Sequence, residues 1–439
     1  MMGPELIFIS LAILLVLIVA SVPVGIALGV ASVIGAYLAY GDMHIALSIL
    51  GSTAYDAIRN HTLAVIPLFM SMGEFISRSG AAKDLYSLCN RAMRRLPGCL
   101  AAATVVGNAG FAAVSGVAIA SAATFSRIAY PEMRRFGYDK SYALGVIAGS
   151  GSLGMLIPPS VLLIVWAILT EVSVGALFIA GVIPGLLLGL VFVIYCAVWA
   201  LNHPEGAPMM VGEAEHNDSS QARAEKISGF GIVLLVVLVL GGIWTGVFTP
   251  TEAAGFGMIG SIALGYVKGM RRKEFVEATL DAGRYTAPVM FLLVAGSMYA
   301  KLLAVSGGLD MIQTQLANTG LGPFGLLAIM TMVWLLLGAL IDSISDILLT
   351  VPIFVPIAMA VGFDPIAFAI YGIIIIEAGL LTPPLGLLVF TVKSSVPDSS
   401  VTLSEIFSGA VPYWLLMLVV AILVILFPTL ATWLPGLMF

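Results

Sequence analysis

Gly149-Ser-Gly-Ser-Leu-Gly-Met-Leu-Ile-Pro-Pro-Ser160 and Ile376-Glu-Ala-Gly-Leu-Leu-Thr-Pro-Pro-Leu-Gly386 are two versions of one pattern. Each has a glycine, three further residues, then a Pro-Pro pair: Gly154 with Pro158-Pro159, and Gly379 with Pro383-Pro384. Both lie in apolar stretches, where adjacent prolines remove backbone donors and break a helix. A break at membrane depth is tolerated only where protein or a water-filled cavity covers it. Paired breaks in matching places of two halves are a sequence pointer to a transport site.

The surrounding composition agrees. The 439 residues are 60% hydrophobic and 10% charged, against about 25% charged in a soluble domain. Apolar runs of roughly 20 residues, enough to cross a bilayer, recur from end to end, so the expected fold is an all-α polytopic membrane protein. A β-barrel would alternate in shorter segments. The net charge of −5 forms no basic stripe, so no nucleic-acid partner is expected. Cys89, Cys99 and Cys196 are widely spaced and lack His neighbours, so neither a disulfide framework nor a metal site built on them is expected. The N-terminus lacks a basic n-region, so the first apolar run reads as a retained span rather than a signal peptide.

Outward from the breaks, residues 98–133 are rich in Ala, Gly and Ser, with Ser115-Gly116 at the centre. They read as a re-entrant hairpin of two short helices. Residues 323–358 read as a second, with Asp342-Ser-Ile-Ser-Asp346 near its centre. Pro131 and Pro356 are expected to end the hairpins, each 27 residues before its break (158 − 131 and 383 − 356). The shared offset is 225 residues (383 − 158). Spans are expected at 5–22, 24–40, 62–78, 174–201, 228–248, 252–269, 285–305 and 408–437, with an amphipathic segment at 268–284 and a polar linker at 202–227. The positive-inside rule places the connections at 78–96, 134–140 and 268–284 in the cytoplasm. From there the hairpins enter from opposite faces, giving inverted repeats with both termini outside. Thr249-Pro250-Thr251-Glu252 reads as a helix cap, and Asp364-Pro365 repeats that logic.

Unwound carbonyls and half-helix ends suit a hard cation. Ser115, Asp342, Ser343 and Ser345 sit where hairpin tips would meet the breaks. Glu377 is an acid within an apolar span, which is costly and points to function. It corresponds to Ser152 of the first break (377 − 152 = 225), so the second site is expected to be the more acidic and pH-sensitive. Glu74, near a span end, is expected to snorkel to the interface.

Ala64-Val-Ile-Pro-Leu-Phe69, Ser115-Gly116, Gly137-Tyr138, both Pro-Pro motifs and Gly246-Val-Phe-Thr-Pro-Thr-Glu-Ala-Ala254 together resemble the large membrane subunit of TRAP (tripartite ATP-independent periplasmic) transporters, in the ion-transporter superfamily. The resemblance implies a scaffold and an elevator transport domain in a multi-pass protein of the bacterial inner membrane. It implies sodium (Na+) coupling, a separately encoded small four-helix membrane subunit, and a periplasmic substrate-binding protein delivering a small organic anion. The implied divisions are scaffold helices and amphipathic arm at 1–97, hairpin and break at 98–170, scaffold at 171–322, hairpin and break at 323–396, and a C-terminal helix at 397–439. The implied sodium ligands are Ser115, Gly154, Ile157 and Pro159 in one half, and Gly379, Thr382 and Pro384 with Asp342 or Ser343 in the other. Candidate substrate contacts are Ser115, Gly116, Ser152, Ser160, Ser345 and Glu377. The family often has Ser-Gly-Ser at the first tip. Val117 stands at the third position here, so no hydroxyl ligand is available there.

The alternative within the superfamily is a stand-alone cation-coupled carboxylate symporter. A passive channel would show sodium-independent, non-saturating flux. An intramembrane enzyme would need a nucleophile with a base or clustered metal ligands. His44, His61, His203 and His216 all fall in loops or linker, away from any intramembrane acid.

Overall fold

The computed structural model describes residues 4–208, 219–306 and 321–438, and among them every regular element is helical. Residues 209–218, in the expected polar linker and including His216, lie outside the described residues, as do Met1–Gly3. Six helices are long and apolar enough to cross a membrane, counting the broken helix over Lys140–Thr170 as one.

The first half runs α1 (Pro4–Val19), α2 (Val24–Tyr40), α3 (Met43–Arg59), α4 (Val65–Arg78) and α5 (Ala81–Met93). The first hairpin follows as α6 (Cys99–Ser115) and α7 (Ala118–Arg135), and the first broken helix as α8 (Lys140–Gly151), α9 (Leu153–Leu156) and α10 (Val161–Thr170). Helix α11 (Val174–Asn202) completes the half. The second half runs α12 (Ser219–Trp244), α13 (Pro250–Val267), α14 (Arg272–Val305), hairpin helices α15 (Pro323–Gly338) and α16 (Ser343–Ala360), broken-helix segments α17 (Pro365–Gly379) and α18 (Leu387–Ser395), and α19 (Leu403–Leu426).

Helix starts recur at the 225-residue shift. Helices α7 and α16 begin after Val117 and Asp342 and are each 18 residues long. Helices α8 and α17 begin after Asp139 and Asp364, whose carboxylates accept N–H groups of their own first turns, as N-cap acids do. Gly137 and Gly362 both take positive φ ahead of those caps. The prolyl bonds Pro158-Pro159 and Pro383-Pro384 are both cis. Thr249 and Glu252 form the expected reciprocal capping box at the start of α13.

Two expectations are corrected. Pro131 and Pro356 do not end the hairpins: each lies inside its helix, which continues to Arg135 or Ala360. The basic segment and the span after it are one 34-residue helix, α14, which runs on through Pro288.

The helices pack in two groups. Helix α4 lies against α13 and α14, α14 also against α2 and α3, and α12 against α13. In the other group α7 packs on α8, α15 on α17, and α10 on α16. Helix α11 packs on α6 and α17, and α19 on α8 and α17. Helix α5 bridges the groups, contacting α6 and α12. Helices α8 and α19 cross at backbone contact: a Cβ on Gly145 would lie 2.0 Å from the Gly409 carbonyl oxygen. The basic connections at 78–96 and 268–284 meet, through Arg78 with Glu277 (2.7 Å) and Asp281, and through Lys268 with Asp84.

Outside the spans, a polar knot ties the first hairpin and break to α19. The Tyr130 hydroxyl donates to Asp398 (2.8 Å), and Lys140 contacts Glu405 (3.1 Å) and the Ser400 carbonyl (3.0 Å). Hydroxyl donation from Ser400, then from Tyr130, with the Ser400 N–H, holds the Asp398 carboxyl down at about 2. An unfolded aspartate titrates near 3.9. The knot therefore contributes stability that is fully present above about pH 4 and is lost as pH falls through about 2. Asp398→Asn should lower the unfolding temperature at pH 6, with the gap to the parent closing toward pH 2. A gap independent of pH would contradict this.

Candidate functional site

Each break is held against its own hairpin by backbone contact. At the first, Gly116 ends α6 with φ +63°, and its carbonyl accepts the Val161 N–H (3.2 Å) that opens α10. A Cβ on Gly116 would meet the Pro159 carbonyl oxygen at 2.6 Å, and one on Gly154 would meet Ala118 and Val117 backbone at 3.0 Å. At the second, a Cβ on Gly379 would lie 2.9 Å from the Gly338 Cα. The Gly386 N–H donates to the Ala339 carbonyl (3.3 Å). Only glycine permits these approaches, so the sequence spacing has a direct steric cause.

The tips converge. A cavity of about 250 Å³ is lined by Phe111, Ser115 and Val117–Ala120 of the first hairpin, Asp342, Ser343 and Ile344 of the second, and Met155, Val161, Leu380 and Leu387 beside the breaks. Helices α4 and α14 close it with Met70, Gly73, Glu74, Ser77, Tyr285 and Val289. Gly73 lets α4 approach the first tip: a Cβ there would lie 2.8 Å from the Ser115 Cα. The cavity thus lies between the two helix groups.

Of the sequence candidates, Ser115, Asp342 and Ser343 reach this wall. Gly154, Ile157 and Pro159 lie in the first break and Gly379, Thr382 and Pro384 in the second, behind the tips. Gly116 packs onto Pro159. Ser152, Ser160, Ser345 and Glu377 do not line the cavity, because their polar groups are turned to local partners. Ser152 donates to the Gly149 carbonyl (2.7 Å), Ser160 to that of Met155, and Ser345 to Asp342 (2.5 Å). Asp342 caps α16, accepting from the N–H groups of Ile344 (3.1 Å) and Ser345 (3.0 Å). The Ser343 hydroxyl donates to Glu377 Oε1 (2.7 Å), while Glu377 Oε2 has no hydrogen-bond partner. Asp346, one turn into α16, is 0% exposed with both carboxyl oxygens unpartnered. The breaks differ in exposure too: Pro158 and Pro159 are buried, whereas Pro383 and Pro384 are exposed.

The expected snorkelling of Glu74 is corrected, since its side chain forms part of the cavity wall. Arg78, one turn further on, is bound by Glu277 and Asp281. Tyr285 and Ser77 also escaped sequence reasoning, as isolated polar residues in apolar or basic stretches. The three cysteines are free and buried.

Paired helix breaks, each covered by a hairpin tip at one cavity between two helix groups, are the architecture of a membrane transporter. Residues 11–430 match the family model described as the tripartite ATP-independent periplasmic transporter, DctM component, and the chain belongs to that family: it is a TRAP transporter large permease, multi-pass in the bacterial inner membrane. It is 35% identical to a C4-dicarboxylate TRAP transporter large permease protein of Pseudomonas aeruginosa over 87% of this chain and 88% of that one. It is 28% identical to an ectoine TRAP transporter large permease of Halomonas elongata (98% and 99%) and 29% identical to a sialic acid TRAP transporter large permease of Vibrio cholerae (87% of each). Among solved structures, the YdaH transporter of Alcanivorax borkumensis superimposes with TM-score 0.57 over 89% of each chain at 14% identity, a likeness of fold alone.

Ser343→Ala removes the hydroxyl that Glu377 accepts from, leaving a buried carboxyl without a partner. It should destabilise the protein by about 1–3 kcal/mol, read as a lowered denaturation midpoint in detergent. An unchanged midpoint would show that the bond contributes nothing.

Proposed function

We propose that this permease imports a small organic anion, with a carboxylate as the anionic group, by sodium-coupled elevator transport. The observation that carries the reading is the convergence of both hairpin tips on one cavity between two helix groups. Relatives named for C4-dicarboxylates and sialic acid support an acid as cargo. The mobile body comprises the two hairpins, the two broken helices and the α11 and α19 helices packed on them. It moves against a scaffold of α1–α4 and α12–α14. The halves are inverted repeats, so the hairpins enter from opposite faces.

Sodium is a transported ion in this scheme. The residues present fit it: carbonyl-rich backbone at two glycine-permitted breaks, with Ser115 at one tip and Asp342 and Ser343 at the other, offers the oxygen ligands a hard cation needs. In the first half Ser115, Gly154, Ile157 and Pro159 would hold the ion, and in the second Gly379, Thr382 and Pro384 with Asp342 or Ser343. The N-terminal ends of the half-helices that resume after the breaks carry the positive end of the helix dipole, which suits a carboxylate. A periplasmic substrate-binding protein would deliver the cargo, and a small four-helix membrane subunit would complete the assembly.

The test is uptake by the reconstituted assembly, using a receptor loaded with an organic acid identified by thermal-shift screening. Replacing the inward sodium gradient by choline should lower the initial rate at least about fivefold, the lower end of ordinary site-to-site coupling. Uptake unaffected by sodium would refute the coupling.

A further inference from the structure

The polar wall of the cavity is unevenly committed. Asp342 is occupied as the cap of α16, the Ser343 hydroxyl donates to Glu377, and the Ser115 hydroxyl lies 3.4 Å from that of Ser121. Glu74 is different. It is half-buried in the α4 wall and has no hydrogen bond or ion pair among the described residues. The nearest charges, Asp281 and Arg78, act on it through space with opposite sign, and Arg78 is itself held by Glu277 and Asp281 and is not part of the wall. Among the described residues, no Lys, Arg or His side chain lines the cavity.

An uncommitted carboxylate in a largely apolar wall repels a second negative charge and is satisfied by a cationic donor. A fully anionic cargo would have to place one end near that carboxylate with no base in the wall to offset it. A cargo with a carboxylate at one end and a protonated amine at the other satisfies both ends. Its carboxylate meets the tips and breaks, where sodium and half-helix N–H groups are available. Its ammonium meets Glu74.

We propose that Glu74 is the specificity-determining residue of the cavity and that the cargo is a zwitterionic organic acid whose protonated amine faces it. The proposal rests on the transport reading above, keeps its carboxylate, and departs from it in giving the cargo a compensating positive charge.

The experiment uses the purified full-length chain in nanodiscs and two probes of equal chain length: succinate, with a carboxylate at each end, and 4-aminobutyrate, with an ammonium replacing one of them. Binding is read as thermal stabilisation across a titration, in sodium and in choline. The parent protein should bind 4-aminobutyrate about tenfold more tightly than succinate, as expected for one charged hydrogen bond. Glu74→Gln should erase the preference, while Glu74→Asp, which keeps the charge, should retain part of it. Equal or tighter binding of succinate, a preference that survives Glu74→Gln, or no stabilisation by either probe would overturn the proposal. Preferential 4-aminobutyrate binding that is the same in choline as in sodium would overturn the sodium coupling and leave the role of Glu74 standing.

Discussion

The arrangement depends on backbone meeting backbone at two places inside the fold. Gly116 against Pro159 and Gly379 against Gly338 bring hairpin tips onto helix breaks at distances no side chain would allow. Breaking a helix in an apolar interior strands polar groups that must find partners. Here the Gly116 and Ala339 carbonyls on the hairpins receive the N–H groups of Val161 and Gly386, where the helices resume. The hairpins are therefore needed to make the breaks tolerable, and the breaks need the hairpins' glycines.

The halves share this geometry but not its chemistry. The residue opening α7 is Val117, and its counterpart Asp342 caps α16 with its carboxylate. Ser152, turned to the Gly149 carbonyl, corresponds to Glu377, which is tied to the hairpin of its own half through Ser343. The first break is buried and the second is exposed. Buried acids are thus confined to the second hairpin and break among these elements, and the first break is the more deeply buried. Two sites built on one plan can in this way differ in charge and in access.

Much of this was legible in the chain because its signals are local and steric. Gly-x-x-x-Pro-Pro reports a break, and Asp364-Pro365 and Thr249-Pro250-Thr251-Glu252 report helix starts, since caps depend on neighbours only a few residues away. The illegible features depend on distant partners. Glu74 looked like an interfacial acid because it stands near a span end, and only the approach of α14, which closes the cavity beside α4, makes it part of a wall. Pro131 and Pro356 looked like terminators, yet their helices run on by another turn. The grouping of α11 and α19 with the hairpins follows from glycine-mediated crossings such as Gly145 with Gly409, which no periodicity within either helix announces.

The most direct test of the central claim, that both hairpin tips and breaks act as paired sodium-binding elements, is hydrogen exchange of the intact protein in sodium against choline. The account predicts slower exchange in sodium at residues 112–120 with 153–161 and at residues 339–346 with 379–388, while the scaffold helices α2 and α13 are unaffected. Exchange at both pairs that is indifferent to sodium would contradict it.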